Sequence, residues 1–109
     1  TSTAEINACA DREFEAADRT LNEIYRQALA RIPELGDAGD PQYGAKAWEA
    51  ALRESQRAWV AFRDAECKTH VAMFWAGGSG TSAAVLGCMT EKTRNRTEEL
   101  KSLYVKAEQ

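Results

Sequence analysis

Glu66, Cys67 and His70 stand within about one helical turn of each other, and they form the densest set of reactive side chains in the chain. Residues three and four apart share a helix face, so a cation or a Cys–His catalytic pair is the first chemistry to weigh. The pattern is poor for either. The chain has a single His and no Cys-x-x-Cys, so a tetrahedral ligand set cannot be assembled from its usual parts. Nucleophilic catalysis needs a free thiol, a base and a group that orients the base, and no orienting group is identifiable. Paired carboxylates for hydrolysis need a cleft, which a slim helical bundle rarely provides. A structural disulfide with an edge histidine is therefore the reading, with no catalytic residue, no metal and no cofactor expected. Asn95-Arg96-Thr97 matches a glycosylation sequon, but it is expected at helical core phase, where a glycan cannot be attached.

A second constellation lies on the stretch from Ser55 to Cys67. At 3.6 residues per turn, Leu52, Trp59 and Phe62 fall on one side, with Trp48 upstream, and the same arc carries Gln56, Arg63, Glu66 and His70. Polar groups on an apolar helix face are costly unless each finds a partner. This helix must therefore either bury a hydrogen-bonded network or display one.

The elements that position these residues follow from periodicity. Ser2-Thr3-Ala4-Glu5 fits a capping box, and Ile6, Ala10, Phe14, Ala17, Leu21, Ile24, Ala28 and Ile32 then recur at steps of three and four. That predicts a first helix over about 3–32, ending near Pro33. Its outer face interleaves Arg12, Arg19 and Arg26 with Asp11, Glu15 and Glu23, a solvated mixed-charge surface. Pro33 to Asp40 reads as a loop, and Asp40-Pro41 as an N-cap followed by Pro at the first helical position. The second helix is predicted over about 41–75, with Gly44 weakening its first turn. Gly77-Gly78-Ser79-Gly80 breaks the chain, and a third helix is predicted over about 82–107. Its inward stripe is Val85, Leu86, Met89, Thr93, Arg96, Leu100, Leu103, Tyr104 and Ala107. The fold class is all-α: a single domain over residues 1–109, built as an antiparallel up-down-up three-helix bundle.

In such a bundle Cys9, Cys67 and Cys88 all gather at one end. A Cys67–Cys88 bond would close the Gly-rich connection, and it implies an oxidising compartment, that is, export to the periplasm, cell surface or medium. Cys9 is then the orphan, either free or paired to a cysteine missing upstream; the chain opens at Thr1 without Met, which reads as a processed or trimmed product. Taking the cysteine end as a common level brings Asp18, Gln56, Arg63, Thr93 and Arg96 together around Trp59, with Asn22, Asp64 and Glu66 as additions. This polar cluster is expected to lock helix register, because two inward cations need carboxylate partners.

Charged residues make up 28% of the 109-residue chain, the hydrophobic set 44%, and the net charge is −3. These values describe an ordinary globular domain with no concentrated basic patch for nucleic acid, and no apolar run long enough to span a bilayer. The oligomeric state is not encoded in any of these features.

Ile6-Asn7-Ala8-Cys9-Ala10, then Ala17-Asp18 with Leu21-Asn22 and Tyr25, resembles the opening of the LprI-type lysozyme-inhibitor domain. Gln56-Arg57-Ala58-Trp59 followed by Arg63-Asp64-Ala65-Glu66-Cys67 is similar to its central signature, and Gly77-Gly78-Ser79, Cys88, Thr93, Arg96-Thr97 and Leu100 to its closing pattern. The resemblance implies a small, exported, helical, disulfide-bonded bacterial domain, in a family named for a lysozyme inhibitor, and inhibition of lysozyme by direct binding is the function first expected. Many animal lysozymes are basic and work through a carboxylate pair in a cleft. The loop bearing Glu34, Asp37 and Asp40 is therefore the expected partner-binding element, with the Gly77–Gly80 turn second, and inhibition would be steric. The alternative is an exported interaction module without inhibitory activity, using Met73, Phe74 and Trp75 as an exposed apolar patch.

Overall fold

The computed structural model describes residues 2–37 and 39–105. Among them are three α-helices and no strand: α1 over Thr3–Leu35, α2 over Ala45–Asp64 and α3 over Thr81–Tyr104. The helix axis of α2 runs on without a break into a π-helical segment, Ala65–Val71. The 33 residues of α1 rise about 50 Å, which sets the long dimension of a body measuring 57 × 31 × 16 Å.

Ser2 caps α1 through its side chain, which accepts from the Glu5 backbone N–H at 3.1 Å and donates to the Glu5 carboxylate at 3.2 Å. Pro33 lies inside the last turn of α1 rather than at its end, and the helix runs on to Leu35, where Gly36 N–H bonds to the Ile32 carbonyl at 2.9 Å. The second helix begins later than the Asp40-Pro41 pair predicts. Asp40 uses its carboxylate to close a turn over residues 41–44 instead, and Gly44 becomes the N-cap. The stretch expected as one uniform α-helix to residue 75 changes to π geometry at Ala65 and ends in turns after residue 73. The third helix ends at Tyr104; Ala107, expected on its inward stripe, lies outside the described residues.

Leu21, Ile24, Ala28 and Ile32 of α1 meet Leu52 of α2 and Leu100 of α3 in the core, and Trp48, Trp59 and Tyr104 pack against them. The Trp48 indole N–H donates to the Tyr104 hydroxyl at 2.8 Å, so this ring pair meets its polar needs internally. Between α2, with its π extension, and α3, the contacts Trp48–Tyr104, Gln56–Arg96, Arg63–Thr93 and Cys67–Cys88 form an ordered series. Residue numbers climb on one side as they fall on the other.

Three expected core residues are exposed. Phe62 is 57% exposed, because at 100° per residue it lies about 80° from Leu52, beyond the reach of the neighbouring helices. Leu103, 69% exposed, stands off the Leu100–Tyr104 line on the same grounds, and Ile6, in the first turn of α1, is 48% exposed.

Candidate functional site

Arg63, in the last turn of α2, is 8% exposed and is the most densely contacted polar residue of the interior. Its guanidinium lies over the rings of Trp59 and Phe14, 5.0 and 5.4 Å from the ring centroids. Nη1 donates to the Thr93 hydroxyl at 3.3 Å and stands 3.7 Å from Asp18, while Nε donates to Asp64 at 3.2 Å. Thr93 is fully buried, whereas both carboxylates are partly in solvent. The buried cation is thus neutralised by anions that retain much of their hydration, which lowers the desolvation cost of the whole group.

Arg96 forms a separate centre. Its Nε donates to the Gln56 amide oxygen at 2.9 Å, Nη2 to the Ser55 hydroxyl at 3.2 Å, and Nη1 lies 3.8 Å from Glu99. Asp18, Trp59, Asp64 and Thr93 therefore gather on Arg63, while Gln56 belongs with Arg96. Asn22 is exposed on α1, and Glu66 pairs with His70 at 2.6 Å instead of with either arginine. Ser55 and Glu99 were missed in the sequence; their signals were adjacency to Gln56 and an i, i+3 spacing from Arg96. Both centres tie one helix to another.

Of the sequon, Asn95 is exposed rather than at core phase. Thr97 is the buried residue, and its hydroxyl donates to the Thr93 carbonyl at 2.9 Å. No group of three or more His, Cys, Asp or Glu side chains able to hold a metal comes together among the described residues.

The two ends of the body differ in kind. At the end of α1 and in its connection to α2, the acidic side chains are already engaged: Glu34 of the last helical turn with Arg31, Asp37 with the Gly39 N–H at 2.9 Å, Asp40 with the N–H groups of Gln42 and Tyr43 at 2.8 and 3.0 Å. Those last two bonds, Tyr43 foremost, hold the Asp40 carboxyl below its ordinary pKa. The loop folds tightly on itself, and a Cβ on Gly44 would stand 2.2 Å from the Asp40 carbonyl oxygen.

At the other end, a Cys67–Cys88 disulfide with Cα atoms 5.5 Å apart joins the π segment to α3. Cys9 is an exposed free thiol. The turn between them exposes Met73 by 75%, Phe74 by 78% and Trp75 by 50%, and it reverses through Ala76 and Gly77 with φ of 49° and 76°.

A family model described as lysozyme inhibitor LprI matches residues 1–100. The chain belongs to the LprI lysozyme-inhibitor family. It is similar to an uncharacterised protein of Rhizobium meliloti (strain 1021), with 43% identity over 98% of this chain and 77% of that protein. It is also similar to the uncharacterised protein YecT of Escherichia coli (strain K12), with 30% identity over 94% of this chain and 64% of YecT. The chain thus spans somewhat under two thirds of YecT. No solved structure matches it. The disulfide is of the kind that persists in oxidising compartments, and no described helix is long and apolar enough to cross a membrane.

Proposed function

We propose that this protein is an exported inhibitor of lysozyme-type muramidases, acting by binding the enzyme and occluding its cleft, with no catalysis of its own. The observation that carries the reading is the lysozyme-inhibitor family match across residues 1–100. The architecture is compatible with it: a stiff rod, pinned internally by Arg63 and Arg96, offers a partner its two ends, the loop of Glu34, Asp37 and Asp40 and the turn before α3. A net charge of −3 favours encounter with a basic enzyme. The test is a titration of a basic animal lysozyme's activity with the purified protein at low and moderate salt. Stoichiometric inhibition that weakens as salt rises is expected; full activity at micromolar excess removes the reading.

A second reading, an exported interaction module with no effect on lysozyme, is favoured by the exposure of Met73, Phe74 and Trp75. Pull-down from periplasmic extract, together with light scattering over a concentration series, separates the two.

A further inference from the structure

We infer that the turn carrying Met73, Phe74 and Trp75, and not the acidic loop at the opposite end, is the element that enters the cleft of a basic muramidase. The inference rests on the inhibitor reading above and assigns its contact surface.

No charged side chain occurs between His70 and Glu91, and this uncharged stretch includes the projecting turn. Met73 and Phe74 are exposed by 75 and 78%, so they contribute little to holding the bundle together and are free to be buried by a partner. The turn is also ordered in advance. Phe74 and Trp75 N–H groups bond to the Val71 and Ala72 carbonyls at 3.1 Å, and Gly78 N–H bonds to the Trp75 carbonyl at 2.9 Å. The Trp75 ring lies so close over Gly80 that a Cβ there would stand 2.6 Å from a ring carbon. With the disulfide beneath it, the turn loses little conformational freedom on docking.

Charge selects the partner. The first part of α1 lies at this end, since Phe14 and Asp18 meet Arg63 just below the disulfide. Residues 1–16 bring Glu5, Asp11, Glu13 and Glu15 against Arg12. Residues 64–92 add Asp64, Glu66 and Glu91 against Lys68 and Lys92. This end therefore carries −4, and the remainder of the chain, ten acidic against eleven basic residues, carries +1. An uncharged, apolar projection bordered by net negative charge complements a concave site on a positively charged protein. In the opposite loop the Asp37 and Asp40 carboxylates are already engaged with backbone N–H groups of the loop itself, so they have less to gain from a partner.

The test compares wild type, Met73→Ser with Phe74→Ser, and Glu34→Gln with Asp37→Asn and Asp40→Asn, in lysozyme inhibition assays alongside circular dichroism. The tip variant should need at least about tenfold more protein for half-inhibition while keeping the wild-type helicity. The acidic-loop variant should shift by less than about twofold. Glu13→Lys with Glu15→Lys should slow association at low salt and less so at high salt. A tip variant as potent as wild type overturns the assignment while leaving the inhibitor reading standing. Wild type without inhibition removes both together. A wild-type dimer that the tip variant dissociates, with inhibition unchanged, gives the surface to a second copy and also overturns the assignment.

Discussion

Truncating Arg63 to Ala is the perturbation that most directly probes what holds the three helices in register. Its two ring contacts, at 5.0 and 5.4 Å, are worth roughly 0.5–1 kcal/mol each in a partly desolvated setting. Removing the donor strands the fully buried Thr93 hydroxyl, at a cost of about 1–3 kcal/mol. The carboxylate pairs add little, about 0–1 kcal/mol, because the side chains of Asp18 and Asp64 are 42 and 36% exposed. The expected loss is about 3–5 kcal/mol, the range for breaking a buried charged group out of its network. Arg63→Lys keeps the charge but loses the flat fork, and should cost about 1–2 kcal/mol. Arg63→Met restores the stem volume. Combined with Thr93→Val it should be less destabilising than the two single changes summed, because the stranded hydroxyl is gone. Urea unfolding followed by tryptophan fluorescence, with the disulfide oxidised and m unchanged, measures each variant. Arg63→Ala within about 1 kcal/mol of wild type, or equal to Arg63→Lys, would refute the reasoning.

Replacing Cys67 and Cys88 together by Ser should cost about 3 kcal/mol, since the bond spans a sequence separation of 21; chemical unfolding with and without reductant checks the figure. Gly44→Ala should destabilise by roughly 1–3 kcal/mol or more, because its Cβ would collide with the Asp40 and Asp37 carbonyl oxygens at 2.2 and 2.3 Å, and thermal melting reads it. The Asp40 carboxyl, held below its ordinary value of 3.8 by the Tyr43 and Gln42 N–H groups, contributes to loop stability above that pH. That contribution is lost as pH falls through the lower folded value, and a carboxyl titration by NMR should place the Asp40 midpoint below those of unbonded aspartates.

Helix number, the Ser2 cap and the cysteine pair at residues 67 and 88 were legible because each depends on local pattern and chain length. Buried positions near the middle of each helix were legible too, as with Leu21, Ile24, Leu52 and Leu100. Phe62 and Leu103 were not, because the width of the buried stripe depends on how closely the neighbouring helices approach, which periodicity does not contain. The Asp40 turn was misread since Asp-Pro begins a helix and a tight turn equally well. Least visible was the π segment. It starts two residues after Arg63, which is held among Phe14, Trp59 and Thr93, and it contains Cys67, which is bonded to Cys88 on the facing helix; hydrophobic periodicity carries no trace of either tie.

Those constraints also connect the interior to the exposed turn. From Arg63 to Cys67 the chain passes from one cross-helix anchor to another in four residues, and within that interval α geometry gives way to π. Widening the helix there alters the phase of everything downstream, so the directions of His70, Met73 and Phe74 do not follow from α periodicity alone. His70 is then left outward, bonded to Glu66 and tilted against the Phe74 ring at 5.6 Å between centroids. The Arg63 cluster thus stands directly before the segment that leads into the apolar turn. If the tie at Arg63 positions the turn, Arg63→Lys should shift the NMR resonances of Met73 and Phe74 although it touches neither; unchanged resonances would show that the turn is set independently of it.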